Sequence, residues 1–315
     1  MQGTIDGFRY GAVTPVAGYL TACLGGALGL RCIVRSLVNE QSWKVGWLAL
    51  GAASIGSGIW TMHFIAMLGF QVKETGIHYD RELTLLSLAV AIVVVGIGVF
   101  IVGYRGSGKV TLAVAGVITG IGVAVMHYIG MAAMRMNGDI QYSTFTVVLS
   151  VVIAVVAATA ALWAAVTVRG FMPSLVASVV LGVGVTGMHY TAMAAVSVHV
   201  HGNGTAAWSG DSPSSLLFPM LLGPAVFLLL AGVVVMFDPL LVLGDGEWND
   251  AASGSRSRSR SRPAHAAEAP PEPAPEHGTT LFGGPAVSTR PRQEEYGPAA
   301  PATPRWAPPP TSDEW

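Results

Sequence analysis

The sequence predicts an all-α membrane protein: seven transmembrane helices with three internal hairpin repeats, followed by a disordered cytoplasmic tail. Three observations predict it. Hydrophobic residues make up 52% of the 315-residue chain and charged residues only 11%, against about 25% charged in a soluble domain. The apolar residues gather into seven blocks, each long enough to cross a bilayer as a helix, the form in which a lipid-embedded backbone satisfies its own hydrogen bonds. One motif also returns three times at near-equal spacing.

Taken in order, residues 1–9 read as a short extracytoplasmic N-terminus. The first helix is expected over Tyr10–Leu30. It is too long for a signal-peptide core, and Asp6 and Arg9 make a poor basic leader. Cys23 lies within it and Cys32 at its inner end, and two such thiols form neither a disulfide framework nor a zinc site. The next helices are expected over Val45–Phe70, Leu83–Tyr104 and Val110–Met134. Between the third and fourth, Gly103 to Lys109 imitates the start of a phosphate-binding loop. Val110 stands where Ser or Thr would hold magnesium and no strand precedes, so the segment reads as a Gly-rich turn. The last three helices are expected over Thr144–Val168, Ser174–Val198 and Leu216–Phe237. The membrane domain thus spans residues 10–243. Residues 244–315 are rich in Pro, Ala, Ser and Arg and bury too little apolar surface to fold. The run Arg256 to Arg262 alternates Arg with Ser. It reads as a solvated linker able to touch anionic lipid headgroups, and nothing in the chain points to nucleic acid.

Orientation follows from the basic residues. Arg31, Arg35, Lys44, Arg105, Lys109 and Arg169 fall in or beside the loops after helices 1, 3 and 5. Arg9, Lys73, Arg81 and Arg135 fall on the other side. The positive-inside rule then places the N-terminus outside and the C-terminus in the cytoplasm of a multi-pass cell-membrane protein.

The repeat carries the chemistry. Met62-His63-Phe64 with Met67, Met126-His127-Tyr128 with Met131, and Met188-His189-Tyr190 with Met193 align without gaps. Their histidines are 64 and 62 residues apart. Each unit is therefore one helical hairpin, with the motif at the same depth near the outer ends of helices 2, 4 and 6. Residues four and seven apart share a helix face. Gly56, His63 and Met67 share one, as do Gly120, His127 and Met131, and Gly182, His189 and Met193. Each His and its second Met can therefore point at one atom. Met62, Met126 and Met188 lie on an adjacent stripe with small residues four away, including Gly58, Gly122 and Gly184, where helices can approach closely. The aromatic after each His fits an interfacial belt.

A histidine inside a membrane helix is costly and usually functional. Imidazole with thioether sulfur suits copper, Cu(I) above all, and haem iron accepts the same pair. The three faces could meet in one site or form several. His199 and His201 form a His-x-His pair beyond helix 6, and His78 follows helix 2. Such a pair can chelate copper weakly, but solvated surface histidines are the favoured reading. No catalytic Ser-His-Asp or Cys-His arrangement is visible, and the membrane blocks hold no Asp or Glu for a proton relay. The chain is expected not to be an enzyme.

These three motifs, on alternating helices of a seven-helix chain, resemble the MHYT domain, a bacterial integral-membrane sensor module. The resemblance runs from about Tyr10 to Phe237. It implies a copper site near the outer face formed by the motif Met and His residues, and sensing of oxygen, carbon monoxide or nitric oxide, or of redox state. Only Met188-His189-Tyr190-Thr191 matches the family name in full, and Phe64 stands in the first copy where the family has tyrosine. Many members join this module to a nucleotide-cyclase, phosphodiesterase or DNA-binding output domain. Here the lipid bilayer and a separate cytoplasmic signalling partner are the expected partners. A copper or small-solute transporter and a haem-binding redox protein are the alternatives.

Overall fold

In a computed structural model of the chain, the residues described are 2–38, 41–167, 170–201 and 213–237. Seven helices run through them: α1 Val13–Val38, α2 Gln41–Leu68, α3 Arg81–Arg105, α4 Lys109–Ala132, α5 Thr144–Thr167, α6 Phe171–Met193 and α7 Pro213–Met236. All seven are long and apolar enough to cross a membrane. Large apolar side chains such as Leu86 and Val93 on α3 and Val152 and Val156 on α5 stand exposed on the bundle surface, an arrangement that lipid tolerates and water does not.

The helices close into a ring. Each of α1 to α6 packs on its neighbours in sequence, α6 packs back on α1, and α7 lies outside against α1 and α2. Two glycines on each motif helix make the close approaches. A methyl on Gly58, Gly122 or Gly184 would meet Gly25 of α1, Val94 of α3 or Ala157 of α5. A methyl on Gly56, Gly120 or Gly182 would meet Ile92 of α3, Val155 of α5 or Cys23 of α1. Each motif helix is thereby wedged between the odd helix of its own repeat and that of the next. The small-residue stripe read from the sequence is this contact. The glycines at the foot of the expected metal-binding stripe also prove to be packing contacts.

At the end of the bundle where α2, α4 and α6 finish, three antiparallel ribbons cover the helices. They pair β1 (Ile5–Asp6) with β2 (Gln71–Val72), β3 (His78–Tyr79) with β4 (Met134–Arg135), and β5 (Gly138–Tyr142) with β6 (Val196–Val200). The N-terminal segment closes the circle, since the Gly3 N–H donates to the Val198 carbonyl at 2.8 Å and Gln2 bridges His199. Asp80 joins the ribbons to the bundle. Its carboxylate accepts from the Leu83 N–H at the start of α3 and lies 3.4 Å from Arg135 on β4. The Leu83 amide is the main cause holding that carboxyl below its ordinary range.

The ribbons correct two helix ends. The fourth and sixth helices were expected to reach Met134 and Val198, but α4 stops at Ala132, α6 stops at Met193, and the apolar run continues as strand. Hydropathy is blind to that change, and the alternation of buried Val198 and Val200 around exposed His199 marks it. The first helix was expected to end at Leu30 and runs to Val38 instead. Arg31 and Arg35 are helical residues, and Arg35 caps the ring of Trp47 on α2 at 5.6 Å. Cys32 is accordingly a buried packing residue against Leu228 and Ala231 of α7. Lys44, Arg105 and Lys109 also lie in helices, while Arg169 and the tail from 244 fall outside the described residues.

Candidate metal centre

His63, His127 and His189 each sit one turn from the ribbon end of α2, α4 and α6. The ring packing turns all three inward, and each is only 1% exposed. Their Nδ1 atoms converge. His63 lies 3.1 Å from His189 and 3.1 Å from His127, and His127 lies 3.3 Å from His189. Among the described residues this is the one group of three such donors whose ligand atoms already lie within 4.8 Å of one another. The motifs therefore meet at one point.

Hydrogen bonding alone does not satisfy this triangle. A neutral imidazole Nδ1 either donates or accepts. Each of the three touches both others, so at least one contact must set lone pair against lone pair or N–H against N–H. A cation at the centre accepts all three lone pairs at once. That centre lies about 1.8 Å from each nitrogen, close to the ~2.0 Å of an imidazole–metal bond. The Nε2 atoms of His63 and His127 are buried without a hydrogen-bond partner, and they carry the ring protons when the Nδ1 lone pairs face an ion. The residues present fit a metal.

The methionines divide into two sets. Met67, Met131 and Met193 follow their histidines by one turn on the same face, on the ribbon side of the triangle. The first two are fully buried and Met193 is half-buried. Met62, Met126 and Met188 are also buried, but Met62 packs toward α1, where a methyl on Gly18 would lie 3.4 Å from its Cγ.

The aromatic residues of the motif pack within the protein. Each stacks edge-on to its own histidine and packs on a second aromatic from the ribbon end. Phe64 is fully buried and meets Tyr79 at 6.0 Å, Tyr128 meets Tyr142 at 5.7 Å, and Tyr190 meets Phe8 at 5.7 Å. Tyr79 is buried too, which pushes its phenol up from its ordinary value. Tyr128 also shares a hydrogen bond with Ser150 on α5 at 3.0 Å. Sequence reasoning missed Phe8, Tyr79 and Tyr142. Their one signal was an aromatic shortly ahead of each odd helix.

On the far side of the triangle lies an apolar cavity of about 30 Å³. Its walls include Ile59, Val123 and Val185, each one turn inward of a histidine. Thr119 lines it as well, and its buried hydroxyl has no partner.

The family profile of MHYT, described as "Bacterial signalling protein N terminal repeat", matches residues 56–115 and 120–178. The chain is 34% identical over 210 residues to the Cyclic di-GMP phosphodiesterase NbdA of Pseudomonas aeruginosa, covering 63% of this chain and 27% of that protein. It is 32% identical over 191 residues to the Bifunctional diguanylate cyclase/cyclic di-GMP phosphodiesterase MucR of the same organism, covering 59% and 28%. Signaling protein YkoW of Bacillus subtilis is 28% identical over 186 residues, covering 57% and 23%. The chain thus spans roughly a quarter of the length of these relatives. No solved structure matches. The chain thus carries MHYT repeats over residues 56–115 and 120–178, within a set of seven helices long and apolar enough to cross a membrane.

Proposed function

We propose that this protein is a copper-binding membrane sensor with no catalytic activity of its own. The observation that carries the proposal is the convergence of three buried histidine Nδ1 atoms within 3.3 Å of one another. Imidazole suits copper, and the layer of Met67, Met131 and Met193 beside it adds the soft character that favours Cu(I). The histidines and the methionines Met62, Met67, Met126, Met131, Met188 and Met193 are the proposed metal residues, with the histidines innermost. Copper bound there supplies a centre responsive to redox state or to a diatomic gas. The ribbon end faces outward in this reading, because Arg35, Lys44, Arg105 and Lys109 gather at the other end. Two of the relatives are named for cyclic di-GMP turnover and a third as a signaling protein, which supports a signalling output on the cytoplasmic side, delivered to a partner docked around Arg35 and Lys109.

Purified protein should carry copper without a Soret band, and replacing His63, His127 and His189 together by alanine should remove it. Full copper in that variant, copper-free wild-type protein or a haem spectrum would each overturn the reading.

The cavity supports the gas stimulus. It has room for a molecule of about water size, yet holding a water calls for 2–4 polar partners, and its lining supplies a single hydroxyl, that of Thr119. Val123→Phe should fill the space, leave copper content unchanged and blunt the change in the copper X-ray absorption edge on adding carbon monoxide. An undiminished response would put the gas elsewhere.

A further inference from the structure

We propose a second metal site, at the ribbon end and facing water, built from His199, His201 and Asp139 and selective for divalent transition metals. It stands independently of the copper centre in the bundle.

The ribbon of β5 and β6 sets the donors on one face. Asp139 is the register partner of His199, and directly opposed residues project to the same side of a ribbon. His201 lies two residues beyond His199 and so shares that face. Its backbone is held to the ribbon by Asn137, whose carbonyl accepts from the His201 N–H at 3.3 Å and whose side-chain amide donates to the His201 carbonyl at 3.2 Å. All three donor residues are exposed, while Val198 and Val200, on the other face, are buried.

Two of the donors are already paired, with His201 Nε2 lying 2.8 Å from Asp139 Oδ2. Adjacent ligands at 90° on an ion with bonds of ~2.05 Å stand about 2.9 Å apart, so an ion can enter this pair with little rearrangement. His199 completes the set by rotation of an exposed side chain, a motion of about picoseconds to nanoseconds. His-x-His on a strand separates the two side chains by about 7 Å at their base, a gap that two imidazoles close around one ion.

The donor set differs from that of the buried centre. Two imidazoles and a carboxylate, open to solvent and without thioether sulfur, suit divalent ions, with Cu²⁺ the tightest of the first-row series. The site would therefore capture oxidised metal from the aqueous phase at the end of the bundle that also holds the three-histidine centre.

The test titrates full-length protein in nanodiscs with Cu²⁺, followed by electron paramagnetic resonance. The background is the His63, His127 and His189 triple variant, so that the buried centre contributes nothing. One Cu²⁺ with nitrogen hyperfine structure is expected there. Loss of an outer-shell partner alone weakens metal sites by 10–100-fold, so adding His199→Ala and His201→Ala should weaken binding by at least about 100-fold. Asp139→Asn should weaken it less. An unchanged thermal midpoint in these exposed-site variants confirms that the fold is intact. Unchanged Cu²⁺ binding without His199 and His201 overturns the proposal, as does a wild-type Cu²⁺ signal that disappears in the triple variant. Failure of the buried copper centre would leave both readouts as they are.

Discussion

Gly130→Ala should strip the proposed copper from the three-histidine centre. Gly130 follows His127 by three residues on α4, and the methyl group would land on Nε2 of His63 from α2. The imidazole is rigid and has nowhere to go. It is wedged edge-on against Phe64 at 4.7 Å and held at 3.1 Å from the other two histidines. Either the ring rotates off the shared point or α4 backs away, and both break the triangle. The corresponding positions on α2 and α6 are Ala66 and Ala192, so the pseudo-threefold pattern is broken at the one place where a ring needs the room. Overpacking of this kind costs about 1–3 kcal/mol. Copper retention should fall to the level of His63→Ala, with a lower thermal midpoint in detergent. Gly187→Ala is the control, because a methyl there meets nothing within 4 Å. Full copper in Gly130→Ala would show that His63 is not placed as described.

Gly58→Leu should do the greatest damage to the fold. At the crossing of α1 and α2 a methyl on Gly58 would lie 2.8 Å from the Gly25 Cα, and one on Gly25 would lie 2.7 Å from the Gly58 Cα. Both partners are backbone, which cannot step aside as a flexible side chain can. Lipid is as apolar as leucine, so the larger residue gains no hydrophobic burial in exchange for the lost contact. A loss of about 3 kcal/mol or more is expected, at or beyond the upper end for overpacked sites. Gly58 precedes His63 by five residues on the same helix, so copper should be lost with stability. Thermal unfolding together with metal analysis checks both, against Gly46→Leu, where a methyl meets nothing within 4 Å. An unchanged midpoint would mean that the two helices do not cross at these glycines.

Much of this architecture was legible in the residues. Seven spans, their order, the repeat and the common depth of the three histidines follow from local properties. A helix in lipid satisfies its own backbone, so its length and periodicity are written in consecutive residues. The small-residue stripe at Gly58, Gly122 and Gly184 was readable for the same reason. Reading failed where apolar residues changed conformation without changing polarity. Val196–Val200 keeps the apolar character of the helix it follows, and only pairing with a distant segment makes it a strand. Arg31 and Arg35 misplaced the end of α1 because long basic side chains can stay helical and reach an aromatic ring or the membrane edge.

The centre itself was beyond the sequence. Three His-Met faces on three helices are compatible with one site or three, and the choice depends on how each helix is rotated about its own axis. That rotation is set by contacts between residues far apart in the chain: Gly56 against α3, Gly120 against α5 and Gly182 against α1. Those approaches aim His63, His127 and His189 at one point, bring Phe8, Tyr79 and Tyr142 onto the motif aromatics, and leave Gly130 as the space for an imidazole. The sequence by itself determined which residues could bind a metal and at what depth. The tertiary structure decided that the three histidines meet, because convergence is a property of the closed ring of helices and of no single segment within it.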